Sequence, residues 1–382
     1  MNIFLRSLRQ IASRPIYWAA MFALPLFCIL LLTTLMPDGL PMRIPSAMVD
    51  KDGTGFSREL TRNLGSMQLI NLTEACDTYT EARNLVQEGK IYGFFVIPEG
   101  FERDLLAGKS PVVTFYTNMT YYVPASLAFK AFKTTAMISK AGLVISLAES
   151  VGVTPDQVMP ILQPISFQGR PIGNPEMSYA VYLCNSFLPC VLQLMILLIT
   201  CFSLGREIKT GGSRQLLAMA DGSILKALFL KMLPETIIWW TIILFIESWL
   251  YCIMGYPMNG SWFWLTVSEL MFVPACQGMA LIFFGLLPNL RLSLSASALL
   301  GIMSFSIAAF SFPEESMYPV LSSLSNLMPA RYNFLIYINQ ALNGNELYFS
   351  RWYYVAYMVY MILPLLLCRR IKKAFIRQVY VP

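Results

Sequence analysis

Two glutamates lie deep within apolar runs, where an ionisable side chain is costly and by default indicates a function. Glu247 lies about nine residues before the end of the run 235–256, and Glu269 about seven residues after the start of the run 262–287. At about 1.5 Å of rise per helical residue these depths are similar, and the short connection between the runs makes the two helices neighbours. We predict an intramembrane site that either binds a cationic substrate or shares one proton between the carboxylates. The alternative is that each carboxylate satisfies a polar pocket of its own.

Other chemistry is absent from the sequence. The chain has no histidine, the commonest general base and metal ligand. Gly108-Lys109-Ser110 resembles the end of a phosphate-binding loop, but Arg103 stands where that motif requires its first glycine. The cysteines show no CxxC spacing, and most lie within apolar runs. We therefore predict that the chain is not an enzyme and binds no metal or cofactor itself.

The elements that must position the two glutamates are apolar runs long enough to span a bilayer. The chain is 56% hydrophobic, and the runs fall at 16–36, 177–204, 235–256, 262–287, 292–312 and 352–368. Consider a topology in which the N-terminus is cytoplasmic and the chain crosses the membrane six times. Outside residues 37–176, every lysine and arginine except Arg331 and Arg351 then falls in the cytoplasm or at its border. Because an excess of basic residues marks cytoplasmic loops, both termini are predicted to be cytoplasmic. The net charge of +6 thus reflects topology and contact with anionic membrane lipid, and indicates no nucleic-acid partner.

The composition divides the chain into segments. Residues 1–15 predict an amphipathic interfacial helix with Phe4, Leu8 and Ile11 on its apolar face, and 16–36 predict the first transmembrane helix. Residues 37–176 have the composition of a soluble extracytoplasmic α/β (α+β) domain, with strands at 44–50, 92–97 and 112–117 and helices at 57–64 and 80–88. A five-helix bundle at 177–368 and a basic cytoplasmic tail at 369–382 complete a polytopic, six-helix membrane protein. Short outer helices are predicted within 313–350.

The inner segment 205–231 has the features of an element that receives motion from a partner. It carries charged residues for docking, a glycine pair at 211–212 for a turn, and an apolar face at Leu216, Leu217, Leu225 and Leu228. The bland alternative is a basic loop that only sets the topology.

This arrangement resembles the ABC-2 type permease family, the membrane subunits of ATP-binding-cassette exporters. Three stretches carry the resemblance after the first span: Ile44–Asp50 running into Lys51-Asp52-Gly53-Thr54, Gly93–Phe101, and Leu327-Met328-Pro329-Ala330-Arg331-Tyr332. The best match is Arg206-Glu207-Ile208-Lys209-Thr210-Gly211-Gly212-Ser213-Arg214-Gln215-Leu216-Leu217, similar to the charged stretch and helix that enter the partner ATPase. Gly212 stands where the family has threonine, and Arg214 where it usually has glutamate.

The resemblance implies a permease that pairs with a second permease chain, identical or paralogous, and with two separate ATPase subunits that carry ATP and Mg. It implies a multi-pass protein of the bacterial inner membrane that exports an amphiphilic substrate by alternating access. Its outer domain forms an exit vestibule or docks a periplasmic adaptor. The implied ATPase-coupling residues are Arg206, Glu207, Gly211, Gly212, Ser213, Arg214, Leu216 and Leu217.

Two other function classes were weighed. A membrane-anchored sensor with an extracytoplasmic ligand domain needs a cytoplasmic output domain, and the sequence after Cys368 is short. A membrane-bound enzyme needs convergent histidine, aspartate or nucleophile clusters at a membrane face, and the sequence has none.

Overall fold

The computed structural model describes residues 2–35, 39–107, 109, 111–150, 174 and 178–378. The chain divides into two compact units. The first combines Met1–Gly39 with Arg170–Pro382, and the second spans Leu40–Gly169.

The described elements follow one another in a simple order. The first unit begins with α1 (Ile3–Ala12) and α2 (Pro15–Leu35). The second unit contains β1 (Ile44–Asp50), α3 (Gly55–Gly65), β2 (Ile70–Ala75), α4 (Tyr79–Gln87), β3 (Gly93–Ile97), α5 (Phe101–Leu106), β4 (Thr114–Thr117) and α6 (Tyr122–Ser150). The first unit resumes with α7 (Tyr179–Lys209), α8 (Ser213–Met219), α9 (Ile224–Ile253), α10 (Trp262–Leu286), α11 (Leu290–Ile307), α12 (Pro319–Ser325), α13 (Pro329–Tyr337) and α14 (Leu347–Arg377).

Within the described residues, six helices are long and apolar enough to cross a bilayer: α2, α7, α9, α10, α11 and α14. Their mean hydropathy lies between 1.5 and 2.3, and each approaches or exceeds the roughly 20 residues needed to span the hydrocarbon core. The six predicted spans are therefore confirmed, and the chain is a multi-pass membrane protein. Two helices continue beyond their apolar runs, α7 to Lys209 and α14 to Arg377, because a helix satisfies its own backbone hydrogen bonds even where its side chains become charged.

Glycines let helices of the bundle touch backbone to backbone. A Cβ added at Gly278 of α10 would collide with the Tyr360 carbonyl of α14, and one added at Gly285 would collide with the Leu367 side chain. Gly205 of α7 lies in the same way against Leu290 of α11. Such contacts are typical of membrane helices, whose association depends on close packing because lipid is as apolar as the helix surface.

One end of the bundle gathers the basic residues. We call this the basic end, and it comprises α1, the connection 210–223 between α7 and α9, and the last three turns of α14. Ser213 of α8 donates to the Phe375 carbonyl of α14 at 2.8 Å, and Arg370 donates to the Leu286 carbonyl at the end of α10 at 2.8 Å. These bonds bring the ends of three helices, α8, α10 and α14, together.

Helix α1 packs against the bundle with a face that overlaps only partly with the predicted interfacial one. Ile3, Ser7 and Ile11 face the bundle, whereas Leu8 is 39% exposed and Leu5 54% exposed. The reason is that Arg6 and Gln10, which lie beside the buried stripe, find charged partners inside the bundle. The apolar residues left outside suit the membrane interface.

The opposite end of the bundle holds α12 and α13, within the segment predicted to form short outer helices. Arg331 near the start of α13 is 5% exposed and pairs with Glu314. The hydrogen bond from Arg331 holds the pKa of the Glu314 carboxyl below its usual value. Glu314 therefore compensates the charge of Arg331, which is buried in the first turn of α13.

In the second unit, the described strands form a sheet in the order β2-β1-β3-β4. β1 pairs in parallel with both β2 and β3, whereas β3 and β4 are antiparallel. The structure confirms the predicted strands and helices of this unit, and no end differs by more than two residues. The predictions were strands at 44–50, 92–97 and 112–117 and helices at 57–64 and 80–88. Strand β2 was not predicted individually.

Both faces of this sheet are covered. On one face, Met48 of β1 and Phe95 of β3 pack with Leu60 and Leu64 of α3. On the other face, Val49 of β1 belongs to a cluster that includes Ala82 of α4. Parallel strands that are buried on both faces require this helix-on-each-side arrangement.

A single carboxylate joins two turns at the ends of β1 and β3. Asp52 accepts hydrogen bonds of 3.0 Å from the backbone N–H groups of Phe101 and Glu102 at the start of α5, and one from the Thr54 hydroxyl. Burial raises the pKa of the Asp52 carboxyl, but these hydrogen bonds outweigh it and hold the pKa below its usual value.

Candidate functional site

A buried charged network occupies the basic end, centred on Glu207. One carboxylate oxygen, Oε2, lies 2.8 Å from Arg6 Nη2, and the other, Oε1, lies 3.0 Å from Lys231 Nζ. Gln10 completes the network by donating to Glu207 Oε1 and accepting from Lys231 Nζ, both at 3.1 Å. The Glu207 and Lys231 side chains are only 3% and 2% exposed. Such charges are tolerated when buried only if they are paired and hydrogen-bonded.

The network joins three elements that are distant in sequence. Arg6 and Gln10 are four residues apart and therefore on one face of α1, Glu207 lies in the last turn of α7, and Lys231 lies in the second turn of α9. A Cβ added at Gly212 would collide with the Glu207 carboxylate and the Arg6 guanidinium. Glycine at position 212 therefore lets the connection after α7 pass directly over the network.

Helix α8 is fastened to the bundle by its buried face. Leu216 is 1% exposed and Leu217 is 6% exposed, within the core of the first unit. Arg214 Nε donates to the Ile376 carbonyl at 2.8 Å, and Gln378 donates to the Gly211 carbonyl at 2.8 Å. Motion of α8 must therefore also move the end of α14.

The predicted coupling residues divide into two groups. Glu207, Ser213, Leu216 and Leu217 are buried and attach the segment to its own bundle, and Arg206 and Gly212 are half-buried. Gly211 and Arg214 are exposed, together with the unpredicted Gln215 and Ala218. The surface available to a partner is thus the outer face of α8 and the turns on either side of it.

The two predicted glutamates of the bundle line one small cavity. Glu247 of α9 is 7% exposed and accepts a hydrogen bond of 2.9 Å from the Thr266 hydroxyl. Glu269 of α10 accepts one of 2.8 Å from Asn333 Nδ2 on α13. The structure therefore brings together the carboxylates that the sequence placed at similar depth.

The cavity between these carboxylates has a volume of about 40 Å³. Asn185, Tyr251 and Tyr337 also line it, and the Tyr251 hydroxyl donates to Asn185 Oδ1 at 3.0 Å. Among the described residues, no lysine or arginine lines the cavity. The Tyr337 hydroxyl is buried and has no hydrogen-bond partner in the described part of the chain.

A second, larger cavity of about 400 Å³ lies between α2, α7 and α11. Its lining is almost entirely apolar and includes Ile16, Ala20, Leu198, Phe202 and Leu294. A cavity of this size and polarity accommodates an acyl chain or the apolar part of an amphiphile.

The sequence matches a family of membrane transport proteins. A family model described as ABC-2 family transporter protein matches residues 15–368. The chain belongs to the ABC-2 transporter family. A comparison with curated proteins finds no match. As a member of this family, the chain is a membrane component of an ABC transporter and is not itself the catalytic subunit.

The sequence did not predict that three ionisable residues of this ABC-2 family bundle are buried. Glu207 and Lys231 were assigned to docking and to topology, and Glu235 was not singled out. Glu235 is 1% exposed, and its Oε2 has no hydrogen-bond partner among the described residues. The spacing of Lys231 and Glu235, four residues apart on one helix, was the available signal that both face the bundle interior.

The carboxylates of this ABC-2 family chain do not gather as a metal centre would require. The described residues contain no group of three or more cysteine, aspartate and glutamate side chains that could hold a metal ion. The two sites of interest are therefore a docking surface on α8 and a cavity with two carboxylates.

Proposed function

We propose that this chain is the permease of an ABC exporter of the bacterial inner membrane, with its basic end and both termini in the cytoplasm. It pairs with a second permease chain and with two separate ATPase subunits that bind ATP and Mg. The observation that carries the proposal is the attachment of α8. Ser213 and Arg214 donate hydrogen bonds to carbonyls of α14, Leu216 and Leu217 pack in the bundle core, and the outer face of α8 is exposed.

The Glu207 network supports mechanical coupling. A force applied to α8 reaches α14 through the hydrogen bonds of Ser213 and Arg214, and it reaches α7 through the short connection 210–212. From Glu207 of α7 it reaches α1 and α9 through buried charges. Tightly packed helices and paired charges transmit displacement with little deformation. Closure of the ATPases on nucleotide would thus tilt these helices together, and alternating access follows from that tilt.

The apolar cavity between α2, α7 and α11 supports an amphiphilic substrate. Its lining matches the apolar part of a membrane-soluble molecule, and lipid itself is the natural occupant between transport events. A second permease chain facing this cavity would complete the enclosure that six helices leave open. The unit with the sheet would lie outside the membrane, as an exit vestibule or an adaptor-docking domain. The family match over residues 15–368 favours this function over a sensor.

The experiment that tests the proposal is purification of the tagged chain from its native membranes, followed by measurement of ATP hydrolysis. We expect a P-loop ATPase to co-purify. Gln215→Glu combined with Ala218→Glu, both on the exposed face of α8, should abolish the association and the hydrolysis coupled to the permease. Glu315→Lys, an exposed charge change at the opposite end, is the matched control and should leave both intact.

Two results would contradict the proposal. One is a chain that purifies in folded form without any P-loop ATPase. The other is a doubly substituted α8 that keeps the ATPase bound and hydrolysis coupled.

A further inference from the structure

The cavity between Glu247 and Glu269 is lined by acidic side chains that have no basic partner among the described residues. Two carboxylates line it, each hydrogen-bonded to one neutral donor, Thr266 or Asn333. Two uncompensated negative charges at membrane depth are strongly unfavourable, because neither bulk water nor a basic side chain solvates them. The site therefore needs one positive charge.

The size of the cavity restricts what can supply that charge. About 40 Å³ is little more than the roughly 30 Å³ that a single water molecule occupies in the liquid. This space holds a proton with one water molecule, or one small ion, without any movement of the surrounding helices.

A second and independent observation points to a ligand. The Tyr337 side chain is 3% exposed and lines the same cavity, and its hydroxyl has no hydrogen-bond partner among the described residues. Buried hydroxyls are normally satisfied, so an unpaired one that borders a polar cavity indicates a missing partner. One water molecule fills this gap, since it can donate to or accept from the phenol and at the same time bond the protonated and the ionised carboxyl.

We propose that the cavity is a binding site for one proton, shared by Glu247 and Glu269 and linked to the Tyr337 hydroxyl by one water molecule in the cavity. The proton is taken from water and returned to water, so one carboxyl is neutral and the other is ionised while the cavity is closed. Two carboxylates that share a site commonly hold one proton in this way.

The surrounding titratable groups do not change this balance. The phenols of Tyr251, Tyr354 and Tyr357 and the thiols of Cys184 and Cys276 are the other such groups near the two carboxylates in the described residues. They come from α7, α9, α10 and α14, and phenols and thiols are neutral at physiological pH. The charge of the site is therefore set by the two glutamates alone. The site exists within one chain, so its occupancy does not depend on the exporter assignment.

The test is infrared spectroscopy of the full chain in lipid nanodiscs, in sodium-free buffer near neutral pH. The wild-type spectrum minus that of Glu247→Gln/Glu269→Gln should show one protonated carboxyl band that shifts in D₂O and one ionised carboxylate. Raising the pH should remove the protonated band in a single step. The same difference should persist in a Glu235→Gln background, because Glu235 is a buried carboxyl outside this cavity. The amide replacements keep the side-chain shape, and an unaltered elution profile confirms that the variants are folded.

Tyr337→Phe supplies the specific readout. Removing the hydroxyl should shift the protonated carboxyl band to higher frequency, because the water molecule that bonds this carboxyl loses its phenol partner, without reducing its intensity. Tyr360→Phe, which removes a buried hydroxyl that does not line the cavity, should leave the band unmoved. The proposal is overturned by a difference spectrum with two ionised carboxylates, by a band that sodium removes at constant pH, or by a band that Tyr337→Phe leaves unshifted.

Discussion

Glu207 and Lys231 form a salt bridge of 3.0 Å between Oε1 and Nζ in which both side chains are almost completely removed from solvent. Arg6 and Gln10 bind the same carboxylate, so this one acidic group attaches the N-terminal helix to the bundle. The exposed pair at the same end, Asp221 and Lys226, has side chains that are 80% and 50% exposed and joins only neighbouring turns. The two salt bridges should therefore differ sharply in what their loss costs.

We expect Glu207→Ala to lower the free energy of unfolding by about 3–5 kcal/mol, because it leaves Lys231 and Arg6 buried without a counter-charge. The measurement is thermal unfolding in detergent, followed by loss of the monodisperse peak. Asp221→Ala should leave the midpoint unchanged, since that pair is exposed. Combining Glu207→Ala with Lys231→Met should recover part of the loss, because the uncompensated buried charge is removed. Equal effects of Glu207→Ala and Asp221→Ala would refute the buried network.

Gly212→Ala should loosen helix α1 although it lies about two hundred residues away in sequence. The added Cβ meets the Glu207 carboxylate and the Arg6 guanidinium, so we expect a cost of about 1–3 kcal/mol from overpacking. Hydrogen–deuterium exchange of residues 3–12 should increase. Gly211→Ala is the matched control: Gly211 has a φ of +75° but open space around it, so it should cost about 1 kcal/mol locally without faster exchange in α1.

The second unit should lose stability in acid through Asp52. Its pKa is held below the usual value in the folded chain, so the stabilisation is complete above the unfolded pKa of about 3.9 and is lost as the pH falls through the folded value. The protection factor of residues 100–106 against hydrogen exchange, which corrects for the intrinsic pH dependence of exchange, should therefore fall at acidic pH in the wild type. Asp52→Asn should show faster exchange already at neutral pH and a weaker acid response. Asp77→Asn, an exposed change before α4, should retain the wild-type pH profile.

Two glycine-to-alanine changes should have opposite effects on the free energy of unfolding. Gly278→Ala places a Cβ against the Tyr360 carbonyl, and we expect it to destabilise the bundle by about 1–3 kcal/mol. Gly142→Ala, in an exposed part of α6 with nothing within contact distance, should stabilise its helix by up to about 1 kcal/mol. Unfolding midpoints of the two variants decide the matter, and a neutral Gly278→Ala would show that α10 and α14 are not in backbone contact.

Much of the fold could be predicted because it depends on local composition. Long apolar runs and the placement of basic residues determine the spans, and short, mostly apolar runs ended by turn signals determine β1 and β3. Strand β2 could not be predicted in the same way, because most of Ile70–Ala75 is exposed or half-buried at a sheet edge and lacks an apolar alternation. Its pairing depends on β1, which is distant in sequence.

The candidate sites could be predicted only where the depth of a residue along its helix was enough to identify its neighbours. Glu247 and Glu269 lie at similar depths on neighbouring spans, which brings them to one cavity. The partners of Glu207 and the role of Tyr337 depend on which helices pack together and on their rotation, and a single sequence does not contain that information. Tyr337 in particular lies on α13, a short helix between spans, where no periodic pattern marks it.

The glycine contacts within the bundle have a consequence for movement. Because α10 meets α14 at Gly278 and Gly285, and α7 meets α11 at Gly205 and Gly301, neither pair can separate without exposing backbone that fits no other surface. Each pair should travel as a rigid lever. Spin labels within one pair should then keep a constant distance through a transport cycle, and the displacement that carries cargo should be seen between this chain and the second permease chain.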